Sequence, residues 1–203
     1  KILPYADGVI CGRYFTTGYH LGLQDLKVAR QFCARCNKKF YIVMDDFISE
    51  KEKMMMYDYL NLIDEMDVDG IYFHDLGIYD AAGSYGLTGK LIYDGKSVLC
   101  NSLDSAFLLD QGIDSVMISR ELNLAEVKEI LKNHAGRVDM QVFGHLRLSY
   151  SKRRFLTNYF SQIGKDYDFF GKETLSLEEE QREYRLPIVE DEEGTFIYSD
   201  YIF

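Results

Sequence analysis

One stretch of the chain, Gln141–Phe160, reverses the sign of the protein's charge. The chain has 203 residues, with 33 Asp and Glu against 23 Lys and Arg, and a formal net charge of -10. Eight consecutive residues of this stretch contain four cations, which are Arg147, Lys152, Arg153 and Arg154. A local reversal of this kind predicts an anionic partner, and its structural alternative is a solvated basic turn after a strand.

The order of residues in this stretch favours a site. Val138–Phe143 is an apolar run that predicts a buried strand, and Gly144 ends it. The polar residues therefore follow the C-terminal end of a strand. In parallel β/α folds, that end is where binding and catalytic sites are built.

The same stretch resembles a known family signature. FGHLRLSYSKRRFLTNYF is similar to the signature of the U32 peptidase (collagenase-like) family, in which a strand runs into Gly, a loop, Ser-Tyr/His-Ser, a basic residue and Asn-Tyr. It is closest to the Firmicutes-type members, which carry Ser-Lys-Arg as in Ser151, Lys152 and Arg153. The likeness continues through Ser119–Leu122 and Pro187–Ser199.

Strand and helix patterns alternate six times along the chain, which predicts a parallel sheet with crossover helices. The predicted strands are Ala6–Gly12, Lys39–Asp45, Asp69–His74, Lys90–Asp94, Ser115–Ser119 and Val138–Phe143. The predicted helices are Leu21–Cys36, Lys51–Met66 with Ser49 as N-cap, Asn101–Gln111 and Leu124–Asn133. The pattern fits a doubly wound sheet or a (β/α)8 barrel, and the resemblance implies the TIM-like barrel.

That barrel is expected to be incomplete, with six of its eight strands visible. The resemblance aligns Lys1–Tyr5 with the end of the family's first helix, so the chain is expected to be a partial version of a longer protein. We predict a barrel portion at 1–146, and at 147–203 the signature loop with an inserted lid packed on the same domain. In the lid, Ser176–Arg185 is predicted to be a charged helix and Leu186–Tyr198 a β-hairpin turning at Glu193-Gly194.

The composition limits the class of protein. With 47% hydrophobic residues and only 2 Pro, the chain is typical of globular proteins. No apolar run approaches the roughly 20 residues of a membrane span, and no signal peptide is recognisable. The four cysteines are too few and scattered for a disulfide framework, so we expect a cytoplasmic protein. Cys33 and Cys36 are interpreted as small core residues of one helix.

Polar residues follow the predicted strands and are expected to converge on one face of the barrel. They are Arg13, Asp45, His74, Asp75, Asp94, Arg120, Glu121, His145, Arg147, Ser151, Lys152 and Arg153. Each has a structural alternative. The histidines could be satisfied structural residues, and Arg120 with Glu121 could form an ion pair that ties loops together.

From this set we assign catalytic roles to Glu121, His145 and Asp94. Substrate binding is assigned to a second group, which comprises Arg120, Arg147, Tyr150, Ser151, Lys152, Arg153 and Asn158. No metal is expected in the main hypothesis. A metal site of the alternative hypothesis would use Asp45, His74 and Asp94.

The resemblance implies RNA modification, because some relatives act in hydroxylating the wobble uridine of tRNA. The expected partners are then tRNA or another RNA, and a paralogous family member. Basic and aromatic side chains near Tyr150 would suit an extruded base and its phosphates. The alternatives are a collagenase-like peptidase acting on peptides and a binding subunit without catalysis.

The resemblance also bears on cofactors. Relatives with an iron–sulfur cluster hold it through cysteines at positions that are Arg147 and Arg154 here, so this motif cannot bind a cluster. Relatives often have His at the position of Phe196. The cofactor therefore stays unassigned, and whether the chain is an enzyme stays open.

Overall fold

The chain divides into two compact units, Lys1–Met140 and Gln141–Phe203. The computed structural model describes residues 3–12, 22–44, 47–167, 175–178, 180, 184–191 and 194–202. The observed division lies between Met140 and Gln141, whereas the sequence placed it between residues 146 and 147. His145 and Leu146 belong to the second unit because both are part of its first strand.

Six parallel strands form the sheet of the first unit. They are β1 (Gly8–Gly12), β2 (Lys39–Met44), β3 (Gly70–Phe73), β4 (Leu91–Asp94), β5 (Ser115–Met117) and β6 (Val138–Asp139). Each strand pairs with the next one along the chain, in the order β1-β2-β3-β4-β5-β6. A doubly wound sheet reverses its strand order at one point, and this sheet does not. The six strands form a half-barrel, as the barrel prediction requires.

Helices connect the strands of this unit. They are α1 (Leu23–Arg35), α2 (Lys53–Met66), α3 (Leu76–Gly83), α4 (Ser102–Asp110) and α5 (Leu124–His134). The N-cap prediction for α2 is wrong: Glu52 occupies that position, and the Ser49 N–H and hydroxyl both donate to its carboxylate. Helix α3 was not predicted. None of the helices in the described segments is long and apolar enough to cross a membrane.

The strand residues alternate between two faces of the sheet. Phe40, Ile42, Ile71, Phe73, Leu91 and Val116 belong to the large core on the helix side. Their neighbours in sequence form a smaller cluster on the opposite face, which we call the inner face: Val43, Tyr72, Ile92 and Met117, with Tyr41 packed against them. This alternation follows from the two-residue period of a strand.

Two glycines make room for one ring on the inner face. A β-carbon on Gly8 would lie 2.9 Å from the ring of Tyr41, and one on Gly70 would lie 2.7 Å from it. Both distances are shorter than contacts between real carbon atoms, so only glycine fits beside this ring. The repeated Asp-Gly pairs of the sequence therefore place a tyrosine inside the half-barrel.

Two predictions from the sequence are wrong in the first unit, one at β6 and one at the end of α1. Strand β6 contains only Val138 and Asp139, and the following Val142 and Phe143 are 76% and 77% exposed. The apolar run Val138–Phe143 is therefore not one buried strand. Cys33 is buried as expected, but Cys36 is exposed at the C-terminal end of α1.

The second unit contains a four-stranded antiparallel sheet in the order β7-β10-β9-β8. Its elements are β7 (His145–Ser151), α6 (Phe155–Gln162), β8 (Leu175–Glu178), β9 (Arg185–Asp191) and β10 (Gly194–Ile202). The predicted hairpin is confirmed by the pairing of β9 with β10; Glu193 of its turn lies outside the described residues. The predicted helix at Ser176–Arg185 is wrong, because Leu175–Glu178 pairs with β9 as a strand.

Candidate functional site

Asp94 is the centre of a charged cluster at the carboxyl end of β4. Its side chain is 2% exposed, and its Oδ2 lies 2.8 Å from Lys96 Nζ and 3.8 Å from a terminal nitrogen of Arg120. The Lys96 N–H also donates to Oδ1 of Asp94, at 3.0 Å. The cluster therefore brings together two predicted site residues, Asp94 and Arg120, and adds Lys96, which the sequence analysis missed.

His74 lies beside this cluster. Its Nδ1 is 2.9 Å from the backbone carbonyl oxygen of Asp94. A carbonyl oxygen only accepts hydrogen bonds, so Nδ1 carries the proton in this contact. The ring of His74 stacks on Tyr93 with 6.2 Å between centroids, which fixes its orientation at the strand end.

The neighbouring candidates have different environments. Arg120 is buried, with 8% of its surface exposed, whereas Glu121 is exposed and its N–H donates to the Ser119 hydroxyl at 3.3 Å. Asp75 caps helix α3 through a 2.8 Å bond from the Gly77 N–H, and it also accepts from the Ile48 N–H at 3.0 Å. Asp75 therefore has a structural role.

The metal alternative has two of its three predicted ligands, His74 and Asp94, among the described residues. Of its three predicted ligands, Asp45 lies outside the described residues, as does Arg13 of the strand-end set. Within the described segments, no group of three or more His, Cys, Asp or Glu side chains is arranged to hold a metal ion. The contact of His74 with Asp94 is to the backbone carbonyl oxygen.

The inner face carries a polar pair that the sequence analysis missed. The Tyr72 hydroxyl donates a hydrogen bond to Oδ2 of Asp139 at 2.9 Å. Burial raises the pKa of Tyr72, and the negative charge of Asp139 adds to this. Burial also raises the pKa of Asp139. The only sequence signal for the pair was the occurrence of polar residues inside predicted apolar strands.

In the second unit, an arginine and two aromatic rings lie on one face of the sheet. Tyr150 stacks on Phe196 with 4.9 Å between centroids, and the guanidinium carbon of Arg147 lies 5.5 Å from the Tyr150 centroid. Arg147 and Tyr150 are three apart, which normally places side chains on opposite faces. The register shift opposite Leu148 brings them to the same face, as bulges do.

The loop after β7 presents the predicted cations. Lys152, Arg153 and Arg154 are exposed, and the Arg153 N–H donates to the Ser151 hydroxyl at 3.2 Å. Asn158 is exposed on helix α6, which begins directly after the loop. The loop and the start of α6 therefore bring these predicted binding residues into one short segment.

Glu190 of β9 connects the start of α6 to the β9–β10 hairpin through hydrogen bonds. Its carboxylate is 2% exposed and accepts hydrogen bonds from the N–H groups of Leu156 and Thr157, at 2.7 Å and 3.1 Å. The hydroxyls of Thr157 and Thr195 lie 2.5 Å and 2.7 Å from it. Burial acts to raise the pKa of Glu190, but these hydrogen bonds outweigh it and the pKa lies below its ordinary value.

His145 has a structural contact in the same unit. Its Nδ1 donates to the Ser199 carbonyl oxygen at 2.8 Å, and the Ser199 hydroxyl accepts from the Leu146 N–H at 2.9 Å. The Ser199 hydroxyl in turn lies 2.7 Å from the Tyr201 carbonyl oxygen. These bonds join the start of β7 to β10, so the observed contact of His145 supports the sheet.

The cysteines offer little nucleophilic chemistry. Burial raises the pKa of both the Cys11 and the Cys33 thiol. A thiolate is the reactive form of cysteine, so these two thiols are protonated and weak nucleophiles at neutral pH. Cys36 and Cys100 are exposed, and the Cys100 thiol lies 3.2 Å from the Ser97 carbonyl oxygen.

Comparison with known proteins finds relatives that are named as a tRNA hydroxylation protein and as a protease. The tRNA hydroxylation protein P2 of Bacillus subtilis is 27% identical over 179 residues, which are 87% of this chain and 58% of that protein. The uncharacterized protease MJ0090 of Methanocaldococcus jannaschii is 28% identical over 165 residues, which are 76% of this chain and 39% of that protein. The chain thus spans about half the length of these curated relatives.

A solved structure is similar in fold, and a family model matches the sequence. The structure of the U32 peptidase Mk0906 matches with a TM-score of 0.55 and 14% identity, covering 82% of this chain and 74% of that one. This likeness concerns the fold alone. The model of peptidase family U32 matches residues 13–203. Because the match spans nearly the whole sequence, the chain belongs to peptidase family U32.

Proposed function

We propose that this protein acts in RNA modification, in the hydroxylation of the wobble uridine of tRNA, and that its second unit binds the RNA. The observation that carries the proposal is the combination of the cationic loop at 152–154 with the adjacent stack of Arg147, Tyr150 and Phe196. Cations contact phosphates, and aromatic rings stack on unpaired bases. The similarity to the B. subtilis tRNA hydroxylation protein P2 supports the same class of substrate.

The rigidity of the loop backbone supports this assignment. Thr195 accepts from the Phe155 N–H at 3.0 Å, and its hydroxyl lies 2.8 Å from the Arg153 carbonyl oxygen. Glu190 holds the first turn of α6 in place. The exposed cations are therefore presented from an ordered backbone, which lowers the entropy lost when a phosphate backbone binds.

The net charge of the protein restricts where on its surface nucleic acid binds. An acidic body with a net charge of -10 repels nucleic acid over most of its surface. Binding is then confined to the local positive segment. In this proposal the partners are tRNA and a paralogous family member, and the cofactor stays unassigned.

Nucleoside mass spectrometry tests the pathway. The 5-hydroxyuridine-type nucleosides of tRNA should disappear in cells that lack the gene and return when the gene is supplied. An unchanged nucleoside profile would contradict the proposal and direct attention to peptide cleavage or to a binding subunit. A digest of a peptide library with the purified protein distinguishes these two.

Charge reversal tests the binding surface. We expect Lys152→Glu with Arg153→Glu to weaken tRNA binding by about tenfold or more, and to reduce the salt dependence of the affinity. The matched control is Lys51→Glu with Lys128→Glu, which changes the net charge equally at exposed positions of the first unit. Equal losses in both variants would mean that only net charge matters, and the loop would lose its assigned role.

A further inference from the structure

The contact between Tyr72 and Asp139 crosses the inner face of the half-barrel. Tyr72 lies on β3 and Asp139 on β6, and strands β4 and β5 separate them in the sheet. The hydroxyl nevertheless reaches Oδ2 of Asp139 at 2.9 Å. Tyr72 itself is only 8% exposed. The curvature of the sheet and the length of the tyrosine thus place a phenol and a carboxyl group inside the concave face.

The surroundings of this pair are largely apolar. Val43, Ile92 and Met117 form the inner-face cluster with Tyr72, and Tyr41 packs edge-on against Tyr72 with 6.0 Å between centroids. Such an environment disfavours the charged form of an acid. Burial is the main reason that the pKa of Asp139 lies above its ordinary value, while the Tyr72 hydrogen bond acts in the opposite direction.

The charged groups that shift the two pKa values are acidic. The negative charge of Asp114 acts on Asp139 and raises its pKa further, and Asp94 acts on Tyr72 in the same sense. Within the described residues, no cation lies within salt-bridge distance of Asp139. Because the pKa of Tyr72 is also raised, the phenol keeps its proton. Within the pair, Asp139 is therefore the group that gains and loses a proton.

Strand register relates this carboxyl group to Asp94. Asp94 pairs with Met117 between β4 and β5, and Met117 pairs with Asp139 between β5 and β6. The two carboxyl groups thus stand two strands apart at the carboxyl ends of a parallel sheet. Asp94 pairs with the ammonium group of Lys96, whereas Asp139 accepts a hydrogen bond from the phenol of Tyr72. Two carboxyl groups in such different environments are typical of an acid–base site.

We propose that Asp139, oriented by Tyr72, is an acid–base group of a ligand site on the inner face, and that it exchanges a proton with an N–H or O–H group of the reacting nucleobase. This inference rests on the proposed function. The carboxylate takes the proton from the nitrogen or oxygen of the base, whose bonding electrons stay on that atom, and returns it when the product forms. Tyr72 is a positioning residue, because it acts through Asp139.

Asp139→Asn is the informative variant. The asparagine has nearly the same shape, and its amide oxygen can still accept the hydrogen bond from Tyr72, so the fold is retained. Only the ionisation is lost. In cells that lack the gene, we expect this variant to restore the tRNA modification about a hundredfold less well than the wild-type protein. The control is Tyr57→Phe, which removes a half-buried phenol from α2 on the helix side of the sheet and should restore it fully.

A second measurement does not depend on activity. Carbon NMR of the Asp139 carboxyl group should give a pKa above the ordinary range for aspartate in the wild-type protein. Tyr72→Phe should raise it further, since the hydrogen bond that lowers it is lost. A purely structural contact would change the melting temperature in these variants without changing the modification.

The outcomes separate the two proposals. If the wild-type gene itself restores no modification, the proposed function fails and this assignment fails with it. If the wild-type gene and Asp139→Asn restore the modification equally well, only the acid–base assignment is overturned. A normal carboxyl pKa for Asp139 would overturn it as well.

Discussion

Gly194 and Ser151 lie in backbone contact. A β-carbon added to Gly194 would come within 2.0 Å of the Ser151 carbonyl oxygen and 2.8 Å of the Lys152 α-carbon. Gly194 also has φ +142°, a conformation that other residues rarely adopt. The start of β10 thus presses directly on the cationic loop, with no side chain between them.

We predict that Gly194→Ala destabilises the second unit by about 2 kcal/mol or more, because both the contact and the backbone angle exclude a methyl group. Urea denaturation followed by circular dichroism measures this loss. The control is Gly164→Ala, where φ is +70° and nothing lies within 4 Å of the added carbon, so only the backbone cost of about 1 kcal/mol remains. Equal effects of the two substitutions would show that the contact with Ser151 does not matter.

Glu190→Gln should destabilise the protein at neutral pH by about 2 kcal/mol, because a charged acceptor of several hydrogen bonds is lost. The folded-state pKa of Glu190 is depressed, so its ionisation stabilises the fold above the unfolded-state pKa of about 4.3. This stabilisation is lost as the pH falls through the lower, folded-state value. The melting temperatures of wild type and variant should therefore differ at pH 7 and converge in acid.

The control for this prediction is Glu178→Gln. Glu178 is 60% exposed and pairs with Arg185 on the surface, so its substitution should change stability little at any pH. A constant difference between wild type and Glu190→Gln from pH 7 to pH 3 would contradict the assigned cause.

Lys96→Met should destabilise the first unit by about 3 kcal/mol, because it removes a close cation from the buried carboxylate of Asp94. Adding Asp94→Asn should recover part of this loss, since the buried charge is then gone as well. Thermal unfolding of the two single variants and the double variant measures the coupling. Lys132→Met, which breaks the exposed pair with Glu129, should have little effect. Simple addition of the two single effects would argue against an ion pair that matters for stability.

The cysteines should differ in their reactivity toward a thiol reagent. Cys36 and Cys100 are exposed and should be modified first in the native protein. Cys33 is buried and its pKa is raised by burial, so we expect its modification to be at least about tenfold slower. Peptide mapping by mass spectrometry after timed labelling follows each site. Equal rates for Cys33 and Cys36 would show that the end of α1 opens readily.

Much of the half-barrel could be predicted from local patterns. Runs such as Lys39–Met44 are apolar and end in turn or polar residues, and helical spacing fills the segments between them. The cations at 152–154 were also visible, because a cluster of like charges in an acidic chain is a property of the sequence itself. The family signature was recognisable for the same reason. Strand β7 was not predicted, since the residues after Gly144 were interpreted as a loop.

The errors arose where tertiary contacts outweigh local preference. Leu175–Glu178 precedes a charged segment that favours a helix, yet it is a strand because β9 offers backbone partners. The apolar run after Asp139 continues as exposed chain, since no strand pairs with it in the described sheet.

The chain by itself determined the order of the six parallel strands, the period of their apolar faces and the location of the positive charge, because these depend on neighbouring residues. Only the tertiary structure decided which polar groups meet. Tyr72 and Asp139 are 67 residues apart, and Glu190 lies 34 residues from Leu156. Neither separation follows a local period. The curvature of one sheet and the packing of α6 against another bring these groups within hydrogen-bonding distance, and that proximity gives them their properties.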